Sequence, residues 1–231
     1  MWPKSRLKMS KPTIVWDFDG TILPSVPYDS EQTLLLHLLR QPGAEIPLRK
    51  KIMGWIALLG DRHELFPRLF KRVYVRLLAG APVSVLDDVC NNLARRISAQ
   101  DRSVFSKLKE HGFPMIIVSC GTRDLITRVL RAAGIEECFQ RIEGNRFRIE
   151  GGHIDGFESS IADPAAKVRV LAESCGLASS QVVAVGDGYT DMPLLDWAGV
   201  SVLIDRSGKK GGRMRRYRTI ASALEILEIL E

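Results

Sequence analysis

Apolar residues in this chain gather into short unbroken runs, separated by longer stretches of helical period. Thr13–Phe18, Met115–Ser119, Gln181–Gly186 and Ser201–Ile204 are such runs, and "YRTI" ending at Ile220 is a weaker fifth. Runs such as "MIIV" and "VVAV", with no polar alternation, suit strands covered on both faces, as in a parallel sheet clothed by helices. Between them, Arg102–His111, Arg123–Ala133 and Pro164–Cys175 read as helices. Each is followed by a glycine (Gly112, Gly134, Gly176), which takes a left-handed helix cap without a Cβ penalty. This alternation predicts an α/β fold with a doubly wound, mostly parallel sheet of Rossmann type.

Two segments break the rhythm. From Pro24 to Ser98 there is no convincing strand; the segment is helical and basic, divided by Pro42-Gly43, Gly60-Asp61 and Gly80-Ala81-Pro82. We therefore expect a helical insert, residues 24–98, in a core built from 1–23 and 99–231. Asn145–Phe157, "NRFRIEGGHIDGF", alternates around Gly151-Gly152 and predicts a small hairpin. Inside the insert, "IMGWIALLG" from Ile52 follows Arg49-Lys50-Lys51 and is too short to span a bilayer. A buried helix is the expectation there, rather than one lying on a surface.

Composition narrows the classes. With 45% hydrophobic and 26% charged residues, the chain has enough apolar material for a globular core. The net charge of +6 suits an anionic partner: a phosphorylated metabolite, nucleic acid or an acidic membrane surface. The four cysteines, Cys90, Cys120, Cys138 and Cys175, lack zinc or dithiol spacing and read as reduced thiols of a cytoplasmic protein. The leading "MWPKSRLKMSKP" lacks the apolar centre of a signal peptide. The four histidines show no metal or triad spacing.

In an open α/β sheet, ligands sit beyond the carboxyl ends of the strands. Here those ends carry "DFDGT" (Asp17–Thr21), "SCGT" (Ser119–Thr122) and "GDGYTD" (Gly186–Asp191). Three tips thus deliver carboxylates, hydroxyls and glycines to one edge. A carboxylate such as Asp17 that attacks phosphorus forms an acyl phosphate and splits hydrolysis into two easier steps. Two anions approach only when their charge is neutralised, which calls for Mg²⁺ held by carboxylate oxygens such as those of Asp17 and Asp187. Asp191 offers a third ligand or orients metal-bound water. The Ser119 hydroxyl and the backbone around Cys120 and Gly121 suit phosphate oxygens.

These motifs, with Lys167 between them in order, resemble the haloacid dehalogenase superfamily, and the layout is most similar to its phosphoserine phosphatase-like branch with a small helical cap. The resemblance covers essentially the whole chain from Thr13. It implies a phosphomonoester phosphatase with Asp17 as nucleophile and Lys167 as a charge facing the phosphoryl oxygens. Asp19 would bind metal through its main-chain carbonyl and serve as general acid, then base. It also implies a cap arginine for the substrate, with Arg72 at the matching place. The branch carries a glutamate for the substrate amine, where this chain has Val26; Asp29 and Glu31 lie nearby, out of register. Phosphoserine itself is therefore not the expected substrate.

Two other readings stay open. The same residues would serve a phosphotransferase that passes the aspartyl phosphate to another alcohol. A non-catalytic protein could use the basic insert and "RSGKKGGRMRRYR" (Arg206–Arg218) to bind anions or nucleic acid, but aromatic residues, only 7% of the chain, are not interleaved with the basic ones. We expect a small-molecule substrate, no nucleic-acid partner and no integral membrane segment.

Overall fold

The computed structural model describes residues 11–41, 46–62, 67–208 and 210–230. The basic leader up to Ser10, the Pro42-Gly43 break, His63 and Lys209 lie outside the described residues. Strand β1 (Thr13–Trp16) is followed by helices α1 (Ser30–Arg40), α2 (Leu48–Arg62), α3 (Pro67–Leu78), α4 (Val85–Ala94) and α5 (Ala99–Glu110). Then come β2 (Met115–Thr122), α6 (Arg123–Ala132), β3 (Arg141–Glu150), β4 (His153–Glu158) and α7 (Pro164–Arg169). The chain ends with β5 (Val182–Gly186), α8 (Met192–Trp197), β6 (Val200–Ile204), β7 (Arg218–Ile220) and α9 (Ile226–Leu230).

Among the described residues the strands form one seven-stranded sheet in the order β4-β3-β2-β1-β5-β6-β7. All neighbours are parallel except β3 and β4. The unbroken apolar runs are explained by burial on both sides. Ile14 and Trp16, Ile117, Val183 and Val185 face one core with Phe105, Leu125 and Val129. Val15, Ile116, Val118 and Ala184 face the other with Leu194 and Leu195 of α8. Trp16 and Phe105 meet edge to face, with centroids 5.2 Å apart.

Connections leave β1 in opposite directions: β2 and β3 extend the sheet on one side, β5 to β7 on the other. Trp16 lies in register with Ile117 of β2 and Val185 of β5. The C-terminal ends of these three strands therefore open into one crevice at the reversal of strand order, where such sheets bind ligands.

Three sequence expectations need adjustment. β1 stops at Trp16 rather than Phe18. The Phe18 carbonyl instead accepts from the N–H groups of Thr21, Ile22 and Leu23, so the chain turns at once. The predicted hairpin is real but not separate: β3 begins at Arg141 and pairs with β2, which joins the hairpin to the sheet edge. The segment "IMGWIALLG" is helical within α2, yet Ile52, Met53, Trp55, Ile56 and Leu59 are exposed. The expectation of a buried helix therefore fails, because only Gly54, Ala57 and Leu58 of this segment face inward. No helix among the described residues is long and apolar enough to cross a membrane.

Candidate active site

The crevice is built from strand tips. Asp17 N–H still donates to the Val185 carbonyl of β5 at 2.8 Å, so its carboxylate stands at the crevice floor beside the start of "GDGYTD". Gly20 follows with φ +85°, a left-handed conformation that a Cβ disfavours. A Cβ on Gly20 would lie 2.3 Å from the Asp187 carboxyl atoms, so this turn leaves room for Asp187 only as glycine.

Carboxylate oxygens of Asp17, Asp187 and Asp191 lie within 4.8 Å of one another. Asp191 anchors this group. Its Oδ2 accepts from the N–H groups of Asp187 and Gly188 at 2.9 Å each, which folds the loop after β5. Its Oδ1 accepts from Lys167 Nζ at 2.6 Å, and the same ammonium donates to Asp17 Oδ1 at 2.6 Å. Lys167 reaches in because Asp163 caps α7, accepting from Ala166 N at 2.8 Å, with Pro164 starting the helix. An isolated helix lysine is usually exposed; Lys167 is 0% exposed.

Electrostatics follow from this crowding. Burial, and then the Asp191 charge, hold the Asp17 carboxyl well above the usual carboxylate range, with Lys167 opposing. Burial and Asp191 also push Asp187 up. Burial opposes the Lys167 charge, but Asp17 and Asp191 outweigh it and raise its pKa. Asp19 is pushed up to about 6, chiefly by burial, against two hydrogen bonds from Ser30. Those bonds run from Ser30 N and Oγ, each 2.8 Å from an Asp19 oxygen. They tie the Asp19 side chain to the start of α1, in the wall of the cavity above.

That cavity has a volume of about 680 Å³ and takes in Asp17, Asp19, Ser119, Cys120, Gly121, Lys167 and Arg72 among its walls. The Ser119 hydroxyl accepts from Gly121 N–H at 3.0 Å, which folds the tip of β2 under it. Burial pushes the Cys120 thiol up to about 11, so it stays protonated at neutral pH. Arg72 is exposed at the rim, and no described carboxylate pairs with it. The structure thus brings Asp17, Asp19, Ser119-Cys120-Gly121 and Lys167 to one cavity, with Arg72 at the edge and with Asp187 and Asp191 clustered beside Asp17.

Three residues at or beside the cavity make contacts that the sequence did not assign: Glu31, which lay nearby but out of register, Asn145 and Lys210. Glu31 sits in the first turn of α1, its carboxylate gripped by Lys71 at 2.6 Å and by the Thr122 hydroxyl at 2.5 Å. The Asp29–Gln32 capping box was the signal that places Glu31 there. Val26, by contrast, is 80% exposed. Asn145 bridges the β2 tip and the loop after β4, donating to the Cys120 carbonyl at 2.7 Å and accepting from Ile161 N at 3.0 Å. Lys210, from the basic loop, pairs with Asp187 Oδ2 at 2.8 Å; neither residue carries a local signal.

The all-oxygen donor set of Asp17, Asp187 and Asp191, partly buried beside Lys167 and Lys210, fits a hard divalent cation such as Mg²⁺. The family model described as haloacid dehalogenase-like hydrolase matches residues 14–196. The phosphoserine phosphatase of Archaeoglobus fulgidus is 28% identical over 207 residues, covering 87% of this chain and 55% of that protein. The phosphoserine phosphatase of Lactococcus lactis is 30% identical over 135 residues, covering 57% of this chain and 60% of that protein. The chain thus spans little more than half the length of these relatives. The solved structure of a substrate-bound phosphoserine phosphatase complex is similar in fold, with a TM-score of 0.68 at 19% identity, over 97% of this chain and all of that one.

Proposed function

Because this chain belongs to the haloacid dehalogenase-like hydrolase family, we propose that it is a Mg²⁺-dependent phosphatase that releases inorganic phosphate from a small phosphorylated metabolite in the cytoplasm. The single observation that carries this reading is the convergence of Asp17, Asp187 and Asp191 within 4.8 Å. Lys167 adds to it, buried between the first and the last of them.

Asp17 is the nucleophile. One of its oxygens attacks phosphorus, the bond to the leaving alkoxide breaks, and an aspartyl phosphate forms. Asp19 donates its proton to the departing oxygen; a pKa near 6 suits a group that must give a proton and take one back. Asp19 then takes a proton from water, whose oxygen attacks phosphorus and frees Asp17. Asp17, Asp187 and the Asp19 main-chain carbonyl, with Asp191 close behind, would hold Mg²⁺, whose positive charge would let two anions meet. Asp191 positions Lys167 and the loop that carries Asp187. Lys167, Ser119 and the backbone of Cys120 and Gly121 hold the phosphoryl oxygens.

We read α1–α3 as a cap that faces the leaving group. Arg72 at its rim would meet an anionic or hydroxylated group. The Glu31 charge is already paired with Lys71, and Thr122 donates to it as well, so a substrate ammonium would have to compete for it. The relatives' substrate, phosphoserine, is accordingly disfavoured here. The four cysteines are all free thiols, in keeping with a reducing compartment.

The test is a panel of phosphorylated metabolites, with p-nitrophenyl phosphate as a general probe, assayed for phosphate release with Mg²⁺ and with EDTA. Release that needs Mg²⁺ and vanishes in Asp17→Asn is the expected result. Absence of release from every compound would overturn the proposal. Addition of an acceptor alcohol, with product analysis, separates hydrolysis from transfer.

A further inference from the structure

α2 has a defined inner side. Gly54 packs so closely that a Cβ there would lie 2.7 Å from a Leu39 methyl and 3.0 Å from one of Leu77. Contacts to α1 and α3 therefore fix which face of α2 points outward, and that face is apolar. Leu48, Ile52, Ile56 and Leu59 recur at helical spacing along one stripe, exposed by 74%, 51%, 56% and 56%. Met53 and Trp55 flank the stripe and are also exposed.

Among the described residues from Leu48 to Gly60, the charge beside this stripe has one sign. Leu48–Gly60 contains no acidic residue. Arg49 and Lys50 are exposed, Lys51 is half-buried, and none of the three pairs with a described carboxylate. Arg40, exposed at the end of α1, stands over the Trp55 ring at 5.9 Å. The next acid, Asp61, is turned inward, where Gln32 Nε2 donates to it at 2.8 Å.

We infer that the outer face of α2 docks the protein on a bilayer surface that carries anionic lipid. A helix of this kind lies in the interfacial plane, with aliphatic side chains below the headgroups, the indole at their level and the cations against lipid phosphates. A second copy of the chain is a poorer occupant. It would present the same acid-free face, leaving both sets of cations without partners.

The experiment is co-sedimentation of the full chain with vesicles of phosphatidylcholine alone and of phosphatidylcholine mixed with phosphatidylglycerol. Binding to the mixed vesicles, weakened by added salt, is expected. Ile52→Ser/Ile56→Ser should weaken it about tenfold or more, since binding scales with buried apolar area. Arg49→Ser/Lys50→Ser should abolish the preference for phosphatidylglycerol. All these side chains are exposed, so circular dichroism melts of the variants should match the parent. No binding of the parent to the mixed vesicles overturns the inference, and so does undiminished binding of the serine variant. So too does light scattering that shows a dimer dissociated by Ile52→Ser/Ile56→Ser, which would assign the face to a second copy.

Discussion

Gly20→Ala isolates the geometric premise of the site. The new Cβ would sit 2.3 Å from the Asp187 carboxyl carbon and both its oxygens, whereas ordinary contact begins near 3.4 Å. The carboxylate must retreat by about 1.1 Å, or leave the cluster altogether. Gly20 also has φ +85°, so alanine there bears backbone strain of about 1–2 kcal/mol, independent of the site. Gly80 supplies the control: its φ is +85° too, but nothing lies within 4 Å of a Cβ built on it. Backbone strain should cost each alanine variant about 2–8 °C of Tm, to which the Asp187 clash adds only in Gly20→Ala. Only Gly20→Ala should also lose about a hundredfold in kcat/KM on p-nitrophenyl phosphate, the scale expected when a catalytic group is displaced by about an ångström. Its requirement for Mg²⁺ should rise in the same titration. Equal kcat/KM values for the two variants would refute the idea that Asp187 must stand against Gly20 for the site to work.

Lys71→Met should free Glu31 for a substrate amine, raising activity on phosphoserine relative to p-nitrophenyl phosphate by about tenfold, the scale of one charge-assisted hydrogen bond; an unchanged ratio removes Glu31 from the leaving-group site. A pH series tests the raised carboxyls. The Asp19 carboxyl has a folded value of about 6 against an unfolded value near 4, and Asp17 and Asp187 shift the same way. The metal-free fold therefore binds protons more tightly than the unfolded chain. For Asp19 this contribution is complete below pH about 4 and is lost as pH rises through about 6; Asp17 and Asp187 contribute with the same sign. In EDTA, Tm should be higher at pH 5 than at pH 7.5, and Mg²⁺ should raise Tm more at the higher pH. A metal-free Tm that climbs steadily from pH 5 to 7.5 would contradict the assigned burial of these carboxyls.

The residue order alone was enough to read the sheet and the strand-tip carboxylates. Runs such as "VVAV" announce strands buried on both faces, because a period-2 strand without polar alternation has no solvent face. The meeting of Asp17 and Asp187 was legible because both stand at strand tips, where a local motif marks the end of an element. Tertiary structure decided what depends on neighbours distant in the chain. Lys167 is a plain helix lysine until α7 packs it between Asp17 and Asp191. Glu31 and Lys71 meet across forty residues, and Thr122 joins them from the opposite wall. Whether the predicted hairpin joined the sheet depended on pairing between β3 and β2, and which side of α2 faced outward depended on Leu39 and Leu77. Helical or strand period assigns residues to a face; only packing says what that face meets.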